Sequence, residues 1–459
     1  MRIALACLLL LSLTAARAPL EVAVVRDGDA WTADLRLHRR ARAWVFVRSP
    51  VSEEARRPWR PQSWTVETPG VRLERHGHYD VLVAAAGTVP ERVRIRFTPF
   101  RERVAGDYDP ALVFSDGSVA LYSEQFDAFP TDDIAGIERM PADIAAADIR
   151  YSATRASFRD ARGRVLYGGR RRSSVSIETE GDGSYILFGA IEPIVTDAMA
   201  LVIDPQLPAW LRTAIAAATP PILARYAAAL GPAPGPKPTI MVSWSGPTPG
   251  RSSMGGGALS GLIVMRFEGA GVLAGDVRAR QSNLWFIAHE SAHFWLGQAI
   301  RYRNGYESWI TEGGADLLAI RAIAAVDPTY DARAQLQSAI DECIRLSAGR
   351  GVARALDRNE HRAYYGCGAV FALVAEAVSR RPFVQFVRGL IVANRADREV
   401  TRADWLAALD RASNDPALSR DIGVLLDRGA EDPRAAIASL FTRAGIAFTR
   451  AADGTPRLS

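Results

Sequence analysis

The chain has 459 residues, a formal net charge of +5 and ordinary polarity, with 48% hydrophobic and 23% charged residues. That composition excludes a disordered or fibrous protein, and at about 100 to 200 residues per domain the length predicts two to four domains. The positive charge is almost all arginine, with Lys237 the sole lysine; the clusters at 36–42 (RLHRRAR) and 170–172 are short and lack interleaved stacking aromatics, so nucleic acid is not an expected partner.

Residues 1–18, MRIALACLLLLSLTAARA, set Arg2 before an apolar run from Ile3 to Leu13, with small residues after it. This is the layout of a secretory signal peptide, and the run is too short to span a bilayer. Cleavage after Ala15, Ala16 or Ala18 is open. No later stretch approaches about 18 uninterrupted apolar residues, so the expectation is a secreted or periplasmic protein with no stable membrane span after signal removal. Cys343 and Cys367 then remain. In an oxidising compartment they form either one disulfide or two buried thiols, because sequence does not give their separation in space.

Residues 19–204 alternate apolar and polar positions in short runs such as AWTADLRL, YDVLVAAA, ERVRIRF and SYILFGAI, broken by Gly, Pro and Asp. The period of two predicts a β-rich, sandwich-like N-terminal domain. His38, His76 and His78 are scattered here, and His76-Gly-His78 reads as a surface feature of a strand.

The pattern changes after residue 204. LPAWLRTAIAAATPPILARYAAAL reads as helix broken at Pro220-Pro221, followed by a Pro/Gly linker at 231–238. Two apolar strands, TIMVSW and SGLIVMRF, flank a glycine-rich segment around Gly255 to Gly257, and SNLWFIAHESAHFWLGQAI (282–300) reads as a helix capped by Ser282 or Asn283, with Gly297 near its end. Residues 205–330 thus read as an α+β domain. Residues 331–459 read as a helical region, with Thr401 and Asp432-Pro433 as helix starts.

His289 and His293 lie four residues apart in that helix, on one face, with Glu290 one step round it. This is the HExxH arrangement of two zinc ligands and a carboxylate placed to take a proton from water. With six histidines in the chain, about 0.004 such matches are expected by chance. After eighteen further residues comes Glu312 in SWITEGGADLLAI, read as a second helix capped by Ser308; the short connection RYRNGYE returns it antiparallel, so that Glu312 reaches the histidine face. Asp316, one turn on, can accept a hydrogen bond from a ligand histidine. Gly313 and Gly314 each cost about 1 kcal/mol relative to alanine in a helix, a cost that makes sense where two helices approach closely.

HESAHFWLGQ followed by WITEGGA resembles the signature of the gluzincin metallopeptidases, and most closely that of the aminopeptidase N and leukotriene hydrolase family, approximately HELAHQWFGN and WLNEGFA. The likeness covers about residues 284–320. It implies a thermolysin-like catalytic domain binding one zinc ion per chain through His289, His293 and Glu312, with Glu290 as general base in peptide hydrolysis. That family stabilises the oxyanion with the tyrosine of a Y-x-K-G-A motif. This chain has Tyr365-Gly-Cys-Gly-Ala, which makes Tyr365 the candidate and Tyr364 the second; His361 is a further candidate to assist. The family's G-x-M-E-N segment, whose glutamate grips a substrate's free amine, is similar in place to SSMGGGALSGLIV, so Gly256, Gly257 and Ala258 are the expected substrate-binding positions. No glutamate stands there, which leaves aminopeptidase action open; Glu307 is a possible substitute anchor or a surface charge. A peptide or protein substrate is expected. The alternatives are a non-catalytic peptide-binding or assembly module that retains the metallopeptidase fold, and an epoxide or small-molecule hydrolase using the same zinc site.

Overall fold

The computed structural model describes residues 18–142, 144–147, 149, 151–179, 183–358 and 360–459, so the signal peptide lies almost wholly outside the described residues. The chain is α+β and divides into two compact units, one of 1–112, 119–167 and 171–189, the other of 113–118, 168–170 and 190–459. Among the described residues no helix is long and apolar enough to cross a membrane.

The first unit is built from sheets. Its six-stranded sheet runs, edge to edge, through Ser174–Thr179, Thr154–Asp160, Leu20–Asp27, Ala30–Leu37, Arg92–Phe97 and Trp64–Val66. Alternation sets the faces: in Arg92–Phe97 the arginines are exposed, whereas Val93, Ile95 and Phe97 are buried. A four-stranded sheet orders Ala128–Thr131, Ala43–Phe46, Tyr79–Ala84 and Val71–His76. Here Gly77 and His78 form the turn of a hairpin. His76 bonds Glu138 and Glu74 at 3.0 and 3.2 Å while His78 is exposed, so the two rings do not converge on one point.

In the second unit, strands β1 (Ile194–Val195), β2 (Ala200–Ile203), β3 (Thr239–Trp244), β4 (Ser253–Leu259) and β5 (Leu262–Glu268) form a sheet in the order β1-β2-β3-β5-β4. β2, β3 and β5 are parallel, and β1 and β4 are antiparallel edges. β3 is buried along its whole length, which explains its unbroken apolar run. The glycine-rich segment expected to separate two strands is itself the edge strand β4; its register of 253–259 against 268–262 continues through Gly255, Gly256 and Gly257. A Cβ on Gly256 would stand 2.2 Å from the Val264 carbonyl oxygen, so the glycine lets the strands pair closely.

Helix α1 (Ala209–Leu230) runs unbroken through Pro220 and Pro221, contrary to the expected break. The prolines remove the amides that would pair with the carbonyls of Ala216 and Ala217. Those two residues are half-buried and exposed, so water can satisfy the freed groups. Helices α2 (Val277–Ala292), α3 (Trp309–Val326), α4 (Ala332–Ser347), α5 (Arg362–Ser379), α6 (Phe383–Ala393), α7 (Arg402–Ser413), α8 (Pro416–Asp427) and α9 (Pro433–Ala444) follow. Thr401 caps α7 with a full capping box, and Asp432 caps α9 with Pro433 in first position. The region after 331 is not wholly helical, since a hairpin of Phe448–Arg450 and Pro456–Leu458 ends it. One hydrophobic core joins the sheet and all nine helices, from Met199 and Leu201 through Ile287, Leu317 and Phe371 to Phe441.

Candidate metal centre

Helix α2 carries both histidines. It begins earlier than expected, because Asp276, with extended backbone, accepts from the Ala279 amide at 2.7 Å and caps it. Asn283, an expected cap, instead bonds back to the Ala279 carbonyl inside the helix. It also ends earlier, at Ala292, with His293 at the C-cap. The chain then turns so that the Leu296 carbonyl accepts from His293 Nδ1 at 2.8 Å, and Gly297 leaves the turn with φ 133°, a conformation that suits glycine.

His289 Nδ1 donates to Asp316 Oδ1 at 2.7 Å. A carboxylate and a carbonyl can only accept, so each ring's proton sits on Nδ1 and each neutral ring presents a bare Nε2. The two Nε2 atoms are 3.1 Å apart, and Glu312 Oε2 lies 3.3 Å from one and 3.5 Å from the other. Three electron-rich donors at such spacing repel one another unless a cation lies between them. A tetrahedral zinc ion bonded at ~2.0–2.1 Å would separate its donors by roughly 3.3–3.4 Å, so the donor set fits that ion and leaves a position open. Electrostatics points the same way. Burial disfavours a charged His289 ring, yet Asp316 and Glu312 outweigh it and raise its pKa to about 10. Burial likewise opposes ionisation of Glu312, but the two histidines override it and hold the carboxyl well below its ordinary range. The cluster therefore attracts positive charge, either a proton on the His289 ring or a metal ion that takes its place.

Helix α3 supplies Glu312 in its first turn, where the helix dipole favours a carboxylate, and buries Asp316 one turn later. Ser308 stands at its start as expected, but its hydroxyl donates to the Gly305 carbonyl at 2.8 Å and does not cap the helix. The glycines differ in their work. A Cβ on Gly313 would lie 2.1 Å from the Gly368 carbonyl carbon, backbone against backbone, whereas one on Gly314 would meet the Leu296 side chain at 2.8 Å. Gly313 thus sets how closely α5 approaches α3.

Helix α5 separates the tyrosine candidates. The half-buried Tyr365 ring stacks on His289 with centroids 5.5 Å apart and planes at 20°. Burial first, then the Glu312 and Glu290 carboxylates, push its phenol above the ordinary range, so it stays protonated. Tyr364 is buried elsewhere: its hydroxyl donates to the Ala353 carbonyl at 3.0 Å and accepts from the Leu356 amide at 3.1 Å. His361 is exposed, with its ring 6.4 Å from that of Tyr364. Glu290 is half-buried beside the ligands and makes no side-chain hydrogen bond among the described residues. Glu307 is engaged by the Arg402 and Arg303 amides at 2.9 and 3.1 Å, which accounts for it as a loop clamp. Sequence reasoning missed Trp285, one turn before His289 and packed on its ring at 5.4 Å, although its spacing of four residues was legible. It also missed the Leu296 carbonyl, a backbone group that leaves no side-chain signal.

No protein-family model matches the chain, and no curated protein sequence does. Solved structures do. An aminopeptidase N family protein from Idiomarina loihiensis superposes with a TM-score of 0.62 at 11% identity, over 90% of this chain and 76% of that one. Leukotriene A4 hydrolase from Saccharomyces cerevisiae superposes with a TM-score of 0.50 at 12% identity, over 91% of this chain and 68% of that one. At such identity the likeness establishes the fold.

Proposed function

We propose that the chain is a zinc-dependent metallopeptidase that hydrolyses peptide bonds, with His289, His293 and Glu312 holding one zinc ion. The observation that carries this reading is the convergence of two bare imidazole nitrogens and one carboxylate oxygen at 3.1 to 3.5 Å. The likeness of fold to an aminopeptidase N family protein supports it. When bound there, the ion supplies Lewis acidity toward a carbonyl oxygen and toward water.

The remaining work belongs to the chain's own side chains and backbone groups. Asp316 and the Leu296 carbonyl fix the tautomer and direction of the two rings. Glu290, whose side chain makes no hydrogen bond among the described residues, takes the proton of the attacking water and passes it to the leaving amine. Tyr365, kept protonated by burial, donates from its phenol to the oxyanion as charge develops. Gly256, Gly257 and Ala258 on edge strand β4 pair with an extended peptide substrate through the backbone. That strand offers no carboxylate to a substrate amine, and Glu307 is already engaged, so the reading favours cleavage that does not require a free amino terminus. A secreted or periplasmic location is part of the proposal, and the disulfide between Cys343 and Cys367 accords with an oxidising compartment.

The test is a peptide-library cleavage profile with free and acetylated amino termini, with and without chelator. Chelator-sensitive cleavage of both substrate sets is expected. Glu290→Gln should retain zinc while hydrolysis falls by about 10²- to 10⁴-fold. Full activity in that purified variant overturns the assignment, and a strict need for a free amine would make the chain an aminopeptidase.

A further inference from the structure

Helix α4 holds helix α5 at two points, one on each side of Tyr365. Cys343 of α4 is joined to Cys367 by a disulfide, and both residues are fully buried. The preceding residue, Glu342, accepts from Arg362 Nε and Nη2 at 3.1 and 2.8 Å. Two adjacent residues of α4 therefore grip α5 three positions before Tyr365 and two positions after it. Arg362 also lies over the Tyr365 ring, its guanidinium carbon 5.0 Å from the centroid. A half-exposed ion pair contributes little by itself, so the covalent bond is the stronger of the two grips.

The opposite side of α5 is held farther along the helix. There it meets α3 through Gly368 against Gly313, backbone on backbone, with the Trp309 ring edge-on to Phe371 at 5.6 Å and Arg321 paired with Glu376 at 2.6 Å farther along. Gly368, Phe371 and Glu376 all follow Tyr365 in α5, whereas the bracket from α4 holds the helix on both sides of it. Ring stacking of Tyr365 on His289 requires α5 to be fixed at this end of the helix.

We propose that the bracket of Glu342 and Cys343 is a positioning device for Tyr365, with the disulfide as its main element. The proposal rests on the peptidase reading for its kinetic consequence only. Misplacement of a reacting group by about 1 Å can cost on the order of 10²-fold in rate, so a loosened α5 should lower kcat and leave KM and zinc content unchanged.

The experiment is a double-mutant cycle between Cys343→Ala/Cys367→Ala and Tyr365→Phe in the full chain, with zinc content measured for each protein. Loss of the bridge should lower kcat about tenfold, with KM and zinc content within about twofold, and should have no further effect in the Tyr365→Phe background. Equal losses in both backgrounds would reduce the bridge to a general structural role and overturn the proposal. A second readout does not depend on activity. With 3-fluorotyrosine at the twelve tyrosines, the ¹⁹F resonance of residue 365 is assigned by its disappearance in Tyr365→Phe. Bridge removal should shift or broaden it while leaving the resonance of Tyr226, buried in α1, in place. An unchanged residue 365 resonance overturns the proposal. If the unaltered chain shows no chelator-sensitive hydrolysis, the peptidase reading fails, and the ¹⁹F result alone decides the positioning claim.

Discussion

Gly313 and Gly368 touch backbone to backbone: a Cβ on Gly313 would stand 2.1 Å from the Gly368 carbonyl carbon, and one on Gly368 would stand 2.3 Å from the Trp309 carbonyl oxygen. Gly313 follows Glu312, and Gly368 lies one turn beyond Tyr365, so this single approach sets the distance between a candidate ligand and the candidate oxyanion donor. Gly313→Ala or Gly368→Ala must push α3 and α5 apart, at about 1–3 kcal/mol for an overpacked core. Calorimetric melting should show the loss, and zinc titration should show weaker binding for Gly313→Ala. Unchanged melting in both variants would mean that the helices are not in contact.

Asp316 accepts from His289 at 2.7 Å within a buried setting. Asp316→Asn keeps the volume but removes the charge, and one rotamer of its amide would present N–H groups to Nδ1. Zinc affinity should fall about 10- to 100-fold, with the chain still folded. Competition against a chelator of known affinity measures this, and equal affinity would remove Asp316 from the site.

The juxtaposition of His289, His293 and Glu312 was legible because a helix puts residues four apart on one face and a short connection returns the chain antiparallel. Alternation exposed the strands of the first unit for a similar reason, since Val93, Ile95 and Phe97 recur at every second position. What could not be read was non-local or backbone in origin. Nothing in the local pattern near His289 points to a cap as far back as Asp276 or to the Leu296 carbonyl as a ring acceptor. Three consecutive glycines read as a loop, yet β4 is an edge strand because β5 lies close enough to require them. Pro220 and Pro221 read as a break, yet the residues whose carbonyls they free, Ala216 and Ala217, are half-buried and exposed. Whether Cys343 meets Cys367 depended on how α4 packs on α5, which no spacing encodes.

In the first unit, Asp127 is buried with Thr179 Oγ1 donating to it at 2.7 Å, and burial pushes its pKa up to about 7. The unfolded value is about 3.9, so the folded chain binds the extra proton between roughly pH 4 and 7. Its contribution to stability is therefore full below pH 4 and is lost as pH rises toward 7, with an amplitude of about 4 kcal/mol. Asp127→Asn should abolish that dependence. The difference in unfolding midpoint between the natural chain and the variant, followed from pH 4.5 to 8, isolates it from other titrations; parallel curves would show that Asp127 is already ionised across the range.

Tyr364 and Tyr365 adjoin in sequence but should fail in opposite ways. The Tyr364 hydroxyl serves the Ala353 carbonyl and the Leu356 amide, so Tyr364→Phe leaves an amide and a carbonyl short of partners in a buried place. About 1–3 kcal/mol of stability should be lost, with little change in kcat. The Tyr365 ring is half-buried over His289, and its phenol is within hydrogen-bonding reach of the Glu312 carboxylate. Tyr365→Phe should lose about 1 kcal/mol of stability or less, the net worth of one hydrogen bond, while kcat falls about 10²- to 10³-fold, as expected when one oxyanion donor is removed. Melting curves and steady-state kinetics on the same two preparations decide it, and the reverse pattern would move the oxyanion role from Tyr365 to Tyr364.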